Sequence, residues 1–397
     1  MKILELKKNF YYIGVVDHSL KVFDVAIRTD AGTSYNSYLL KTNEGTVIFE
    51  GCKKEFEEEY LAHIEHLCGL NDIKYLVVTH TEPDHSGAIK KLLSLNPNIT
   101  IIASATALKN LDNILRMPFK KIAMNPLSPI KIGEYTFNFV NGLLLHWPDV
   151  MFTYIKELKV LVSCDAFGAH YASDAILLSK EPNKEAYLEA LKYYFANIMG
   201  PFGKFVSDAC KRVSALDIDM IATGHGPVID TNVKEQIALY DELAKEVTPN
   251  NDPNKVTIVY ASCYGYTKEM ALYLKERYEE EGKTVLFHEI NVLNYEMEKP
   301  QIIKDILRSG TLLLGSPTLV GDAISLFYEL LSHVTFTMGT GKVASAFGDY
   351  GWSGEAVKNL SDRLASLRFK VIPGFRHCFA LDEDGKKALS DYFETIK

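Results

Sequence analysis

Two folded units of different architecture are predicted for this chain, a strand-rich α+β half followed by a doubly wound parallel α/β half. Three observations carry that prediction. The chain has 397 residues, and at roughly 100–200 residues per domain this is enough for more than one buried core. The pattern breaks near residues 248–255, where Pro249, Asn250, Asn251, Asp252 and Pro253 follow a helical stretch and precede a fresh apolar run. The rhythm also changes across that break, which places the units at 1–250 and 251–397.

Before the break, the apolar runs 10–16, 37–40, 46–49, 75–78, 135–140 and 159–162 read as short strands joined by turns, with helices over 53–67 and 182–198. After it, the runs 256–260, 284–287, 311–314 and 343–347 alternate with amphipathic stretches such as 268–280 and 323–331. Strand–helix alternation of this kind implies a parallel sheet covered on both faces, and its size suits a flavodoxin-type strand order.

Composition narrows the function classes. Hydrophobic residues make up 47% of the chain and charged ones 24%, which excludes a disordered or fibrous protein. The net charge of -8, without long runs of one sign, argues against a general affinity for nucleic acid or anionic lipid. Residues 1–10 build no signal-peptide core, and no stretch approaches about 18 apolar residues, so a cytoplasmic protein without a membrane span is expected. Six scattered cysteines without a C-x-x-C pair offer neither a disulfide framework nor a rubredoxin-type iron site.

The densest chemistry follows the run 75–78, where His80-Thr81-Glu82-Pro83-Asp84-His85 packs four candidate ligands into one strand-to-helix turn. His146 ends the apolar stretch 139–145, Asp165 follows 160–164, and His225 follows 221–224, so each candidate is expected just past the end of a strand. Taken singly, each histidine would be an ordinary packing or surface residue. Together, four imidazoles and three carboxylates suffice for two metals, with Asp165 the candidate bridging carboxylate. His18, His63, His66, His288, His333 and His377 have no such company and are expected in surface or packing roles.

A second constellation follows the strand 256–260: Ser262-Cys263-Tyr264-Gly265-Tyr266-Thr267 leads into a helix whose N-terminus and hydroxyls suit a phosphate. The strand 311–314 runs into Gly315-Ser316-Pro317-Thr318-Leu319, and the strand 343–347 into Gly348-Asp349-Tyr350-Gly351-Trp352. The dinucleotide fingerprint G-x-G-x-x-G is absent. Gly339-Thr340-Gly341-Lys342 is not a P-loop either, since Phe336 stands at the first glycine and Val343 follows the lysine.

The H-x-E-x-D-H turn with His146, Asp165 and His225 further on, and the run His146-Trp147-Pro148-Asp149, resemble a metallo-β-lactamase-like domain with Glu82 in place of the second histidine of the hydrolases. The exchange of imidazole for a hard oxygen ligand favours iron over zinc. With the three C-terminal loops, which look like those of a flavodoxin, the whole chain resembles the flavodiiron proteins. That resemblance implies a metallo-β-lactamase-like αββα sandwich followed by a flavodoxin-like sheet. It implies one iron on His80, Glu82 and His146, another on Asp84, His85 and His225, and Asp165 between them; His85 is the ligand a family member can leave off. It implies FMN, its phosphate on the first loop and its ring flanked by the other two, with Trp352 or Tyr350 as a stacking partner. His170 and one of Tyr193 and Tyr194 are the expected neighbours of a bound diatomic molecule.

The activity implied is reduction of dioxygen to water, nitric oxide to nitrous oxide, or both, in a head-to-tail homodimer or a dimer of dimers. Electrons would come from a separate carrier, rubredoxin or a reduced deazaflavin coenzyme, because no rubredoxin module follows the flavodoxin pattern. Two other readings are a zinc hydrolase fused to a flavodoxin, which Glu82 disfavours, and a flavin electron carrier on an inactive scaffold, which the full ligand set disfavours.

Overall fold

In the computed structural model, which describes residues 2–397, the chain divides into two compact units, one ending at Glu246 and the other beginning at Val247.

The first unit holds two sheets. One is seven-stranded: β1 (Leu4–Lys7), β2 (Phe10–Tyr12), β3 (Tyr38–Thr42), β4 (Gly45–Phe49), β5 (Ile73–Val78), β6 (Thr100–Ala103) and β7 (Lys120–Ala123), in that spatial order. It is antiparallel from β1 to β4 and parallel from β4 to β7. The other is five-stranded: β8 (Ile130–Ile132), β9 (Tyr135–Asn141), β10 (Met151–Ile155), β11 (Val160–Cys164) and β12 (Met220–Thr223). Only its last pair, β11 with β12, is parallel.

Side-chain alternation decides how the sheets pack. In β4, Val47 and Phe49 enter an inner core shared with Phe137, Ile155, Val160 and Val162 of the second sheet, while Ile48 joins an outer core with Tyr60, Leu61 and Ile64 of helix α1 (Glu57–Leu67). Val77 points inward and Leu76 and Val78 outward in the same way. The outer core also takes in α2 (Ile89–Leu95) and α3 (Ala105–Leu115), the latter capped by Ser104, whose hydroxyl accepts from the Ala107 N–H at 3.1 Å. Helices α4 (Lys184–Tyr194), α5 (Gly203–Ser214) and α6 (Val233–Val247) complete the unit.

Two expected elements are interrupted. The run 10–16 is two strands, β2 and the short Val15–Asp17, because the chain leaves β3 after Tyr12 to pair with Thr33–Tyr35. The helix expected over 182–198 ends as an α-helix at Tyr194 and continues as a π-helical turn, Phe195–Met199.

The second unit is one parallel sheet of β13 (Asp252–Tyr260), β14 (Thr284–Glu289), β15 (Ser309–Gly315), β16 (Val343–Tyr350), β17 (Lys370–Val371) and β18 (Phe375–Cys378). The order is β14-β13-β15-β16-β17, with β18 also on β16. In β13, Val256, Ile258 and Tyr260 meet Met270, Leu274 and Tyr278 of α7 (Tyr266–Glu280) and Leu389 and Phe393 of α11 (Glu383–Ile396). Val259 faces the opposite core with α8 (Tyr295–Arg308), α9 (Ser325–Ser332) and α10 (Ala356–Ser366). Burial on both faces explains why these strands read as unbroken apolar runs. No helix among the described residues is long and apolar enough to cross a membrane.

Candidate metal centre and flavin cradle

β5, β11 and β12 end at the same rim of the first unit, and the residues beyond them converge. His80 and the short helix Pro83–Ser86 follow β5, Asp165 follows β11, and His225 follows β12. His146 differs from its expected place at a strand end: β9 stops at Asn141, and the residue is carried inward by an irregular loop in which Leu144 and His146 adopt positive φ.

The carboxylate of Asp165 lies at the centre. Its Oδ2 is 2.8 Å from His146 Nε2 and 3.5 Å from His80 Nε2, and those two nitrogens lie 3.1 and 3.2 Å from Glu82 Oε2. Its Oδ1 is 2.8 Å from His85 Nε2 and 3.3 Å from His225 Nε2, which lie 3.6 and 3.2 Å from Asp84 Oδ2. Two adjacent ligand groups therefore share one carboxylate, each oxygen facing its own trio. Both Asp84 oxygens and His85 Nε2 are buried without a hydrogen bond, despite their nearness to charged partners. Around Asp84 and His85 these unpaired atoms leave room for a cation, and the nitrogen and hard-oxygen donors of the cluster suit iron.

Burial opposes charge on His146 and His225, yet the Asp165, Glu82 and Asp84 carboxylates outweigh it and raise the imidazoles to about 9 and about 10. Burial likewise opposes ionisation of Asp84, but His85 and His225 hold it at about 2. A metal ion held by these residues would displace the imidazole protons and take over their role of balancing the carboxylates.

Neighbouring residues hold the ligands from behind. Asp149 Oδ1 lies 3.1 Å from His80 Nδ1 and its Oδ2 accepts from the Thr81 N–H at 2.9 Å; the Ser34 carbonyl is 2.6 Å from His225 Nδ1. Asp149 stands in the run that begins at His146, but sequence reasoning gave it no role.

His170 Nδ1 lies 3.0 Å from Thr33 Oγ1, and its ring packs 5.0 Å from His225 and 4.4 Å from Phe23. Burial, with the nearby His225 charge, drops it to about 3, so it is a neutral imidazole. The structure separates the two tyrosines. Tyr194 is buried, its ring 4.8 Å from His170 and its hydroxyl donating to the Asp165 carbonyl at 3.2 Å. Tyr193 is 46% exposed and lines an outer groove with Arg28, Glu189 and His170. A cavity of about 770 Å³ opens onto Glu82 and Asp84, walled by Phe23, Lys53, Lys90 and Ile114.

In the second unit, the loops after β13, β15 and β16 enclose a cavity of about 230 Å³ lined by Cys263, Tyr264, Pro317, Thr318, Leu319, Asp349, Gly351 and Trp352. Phe379, after β18, completes it and was not anticipated, since nothing in its spacing marks it. Tyr264 and Trp352 are exposed, two aromatic faces free to meet a flat ligand. Tyr350 does not line the cavity; its ring lies 5.7 Å from the Arg376 guanidinium. Ser262 Oγ accepts from the Gly265 and Lys268 N–H groups at 3.0 and 3.3 Å, shaping the loop. Thr267 departs from the expected phosphate contact, because it is buried and both its N–H and its hydroxyl turn to Asp349 Oδ1. Gly348 must be glycine: a Cβ there would stand 1.8 Å from the Ser316 carbonyl oxygen. Ser316 is buried and bonds its own loop, and Tyr266 packs edge-on to Phe379.

Residues 33–226 match the family described as ODP family beta lactamase, and residues 258–395 match flavodoxin. The chain is 32% identical to the flavo-diiron protein FprA2 of Clostridium acetobutylicum, covering 100% of this chain and 99% of that one. It is 31% identical to the anaerobic nitric oxide reductase flavorubredoxin of Escherichia coli, over 98% of this chain and 81% of the relative. Among solved structures, rubredoxin oxygen:oxidoreductase from Desulfovibrio gigas superposes with a TM-score of 0.66 at 26% identity, covering 100% of this chain and 98% of that one. The flavodiiron protein of Giardia intestinalis gives 0.65 at 28%, covering 100% and 95%. With a carboxylate-centred ligand cluster in one unit, an aromatic-lined cradle at three strand ends in the other and this likeness along its whole length, the chain belongs to the flavodiiron proteins, oxidoreductases that carry FMN and a pair of iron ions.

Proposed function

We propose that this flavodiiron protein reduces dioxygen to water, nitric oxide to nitrous oxide, or both, at irons held by His80, Glu82 and His146 on one side and Asp84, His85 and His225 on the other, with Asp165 shared. The observation that carries the reading is the division of the Asp165 carboxylate, one oxygen to each trio. The irons supply a place for a diatomic molecule and electrons to reduce it, and FMN supplies a reservoir that passes electrons on singly. This chain's residues hold and enclose that place. Asp149 and Ser34 fix the tautomers of His80 and His225, neutral His170 packs against the His225 ring, and the Tyr194 hydroxyl holds the Asp165 backbone.

The flavin cradle takes its aromatic walls from Tyr264 and Trp352 and its shape from Ser262, Gly265, Ser316, Gly348 and Asp349. Both sites lie at strand ends of separately folded units, and a head-to-tail homodimer, alone or paired, sets the flavin of one copy against the open cavity beside Glu82 and Asp84 of the other. The donor is an external carrier, rubredoxin or a reduced deazaflavin coenzyme. The relatives named for nitric oxide reduction and for oxygen reduction support the pair of substrates.

Iron, zinc and FMN analysis of protein prepared without added metal tests this, followed by anaerobic turnover with each gas. About two irons and one FMN per chain with reduction of either gas is expected. Zinc retained after growth in iron-rich medium, with ester or amide hydrolysis, would replace the proposal by a fused hydrolase.

A further inference from the structure

The four histidines of the metal centre differ in what stands behind them. His80 has Asp149 at its Nδ1 and His225 has the Ser34 carbonyl, whereas His85 Nδ1 is buried without a hydrogen bond. Apart from the Asp84 oxygens, which stand on the Nε2 side, Glu50 Oε2 is also buried without a partner. Glu50, His85 and Cys164 place a carboxylate oxygen, a ring nitrogen and the thiol within 4.8 Å of one another, all three residues fully buried.

The surroundings restrict both groups. Glu50 follows β4 in a left-handed backbone conformation, φ 62°. Its Oε1 is taken by the Thr79 N–H at 2.9 Å and by the Thr79 hydroxyl, which leaves Oε2 as the free oxygen. The His85 backbone is pinned by the Gly51 N–H to its carbonyl at 2.8 Å. Its ring is confined on another side by Gly224, where a Cβ would stand 2.9 Å from His85 Cε1. With Nε2 directed at Asp165 and Asp84, a ligating imidazole carries its proton on Nδ1 and needs an acceptor there.

We infer that Glu50 is a positioning residue for the metal centre: its Oε2 accepts from His85 Nδ1–H and so holds His85 as a ligand through Nε2. The inference rests on the metal-centre reading above and decides the ligand that a family member can leave off. Glu50→Gln tests it sharply, because the amide oxygen stays with the Thr79 N–H and the amide nitrogen then faces Nδ1 as a donor against a donor.

The full chain, loaded with iron and FMN, is compared as wild type, Glu50→Gln, His85→Asn and the double variant by anaerobic release of iron to excess chelator and by Mössbauer spectroscopy. Both single variants are expected to lose one iron about tenfold faster or more, to perturb the spectrum of the same single iron, and to show no further loss when combined. Wild-type release from Glu50→Gln beside fast release from His85→Asn, or fold-changes that multiply in the double variant, overturns the inference and leaves the metal centre standing. Wild-type behaviour of His85→Asn overturns the inference together with the ligand assignment. Should Glu50→Gln fail to fold, nitrogen-edited NMR of the wild-type chain loaded with zinc and oxidised FMN decides: a downfield, slowly exchanging Nδ1–H, assigned by its loss in His85→Asn, supports the inference, and its absence overturns it.

Discussion

Asp165 is the carboxylate that both ligand groups share, and in the proposed centre Glu82 is the ligand that favours iron over zinc. Replacing the carboxylate of Glu82 by imidazole in Glu82→His should drop iron well below two per chain, raise zinc and lower turnover, as read by elemental analysis and gas consumption. Tyr194→Phe removes a hydroxyl that donates to the Asp165 carbonyl, so a loss of about 1 kcal/mol is expected in urea unfolding. Tyr193→Phe, on the exposed neighbour, should stay within about 0.5 kcal/mol. The residues named from the sequence around the metals were legible because so many imidazoles and carboxylates in so short a turn have few other uses. Asp149 and Glu50 were not, since a lone carboxylate at a strand end has no spacing to mark it. The choice between Tyr193 and Tyr194 depended on helical phase at a point where α4 passes into a π turn, and adjacent helical residues differ by about 100°.

At the scale of elements, the strand ends do the positioning. The alternation within β4 and β5 and the buried runs of β13, β15 and β16 made the two architectures readable, because period and burial leave a mark in composition. The loop between β9 and β10 left none: positive φ at Leu144 and His146 is a tertiary outcome. Gly348→Ala should cost about 3 kcal/mol and expel FMN, measured by unfolding and by flavin content after gel filtration, since a methyl group cannot share space with the Ser316 carbonyl. Lys342 shows what became of the discarded P-loop resemblance. Its Nζ is buried against the carbonyls of Ile306 and Leu307 at the end of α8, and burial lowers its pKa to about 8. Below that pH the lysine is charged in both states and the folded one bears the cost. Between pH 8 and its ordinary value near 10.4 the unfolded chain binds more protons, so stability rises with pH. Relative to Lys342→Met, wild type should gain about 2 kcal/mol from pH 7.5 to pH 10 in urea titrations.

For the molecule as a whole, the proposed arrangement predicts that activity and self-association go together: sedimentation should show a homodimer or a dimer of dimers, and a fully active monomer would refute the head-to-tail proposal. The sequence carries no motif for the choice of gas or of donor. The chain has only two tryptophans, and the fold assigns one to each centre. The Trp147 indole lies edge-on to His80 at 5.1 Å, while Trp352 borders the flavin cradle. The protein therefore carries a separate fluorescent gauge for each cofactor. In Trp352→Phe the remaining emission should brighten when paramagnetic iron is chelated, and in Trp147→Phe it should brighten when FMN is stripped. Loading of either centre can then be followed in real time without an added dye.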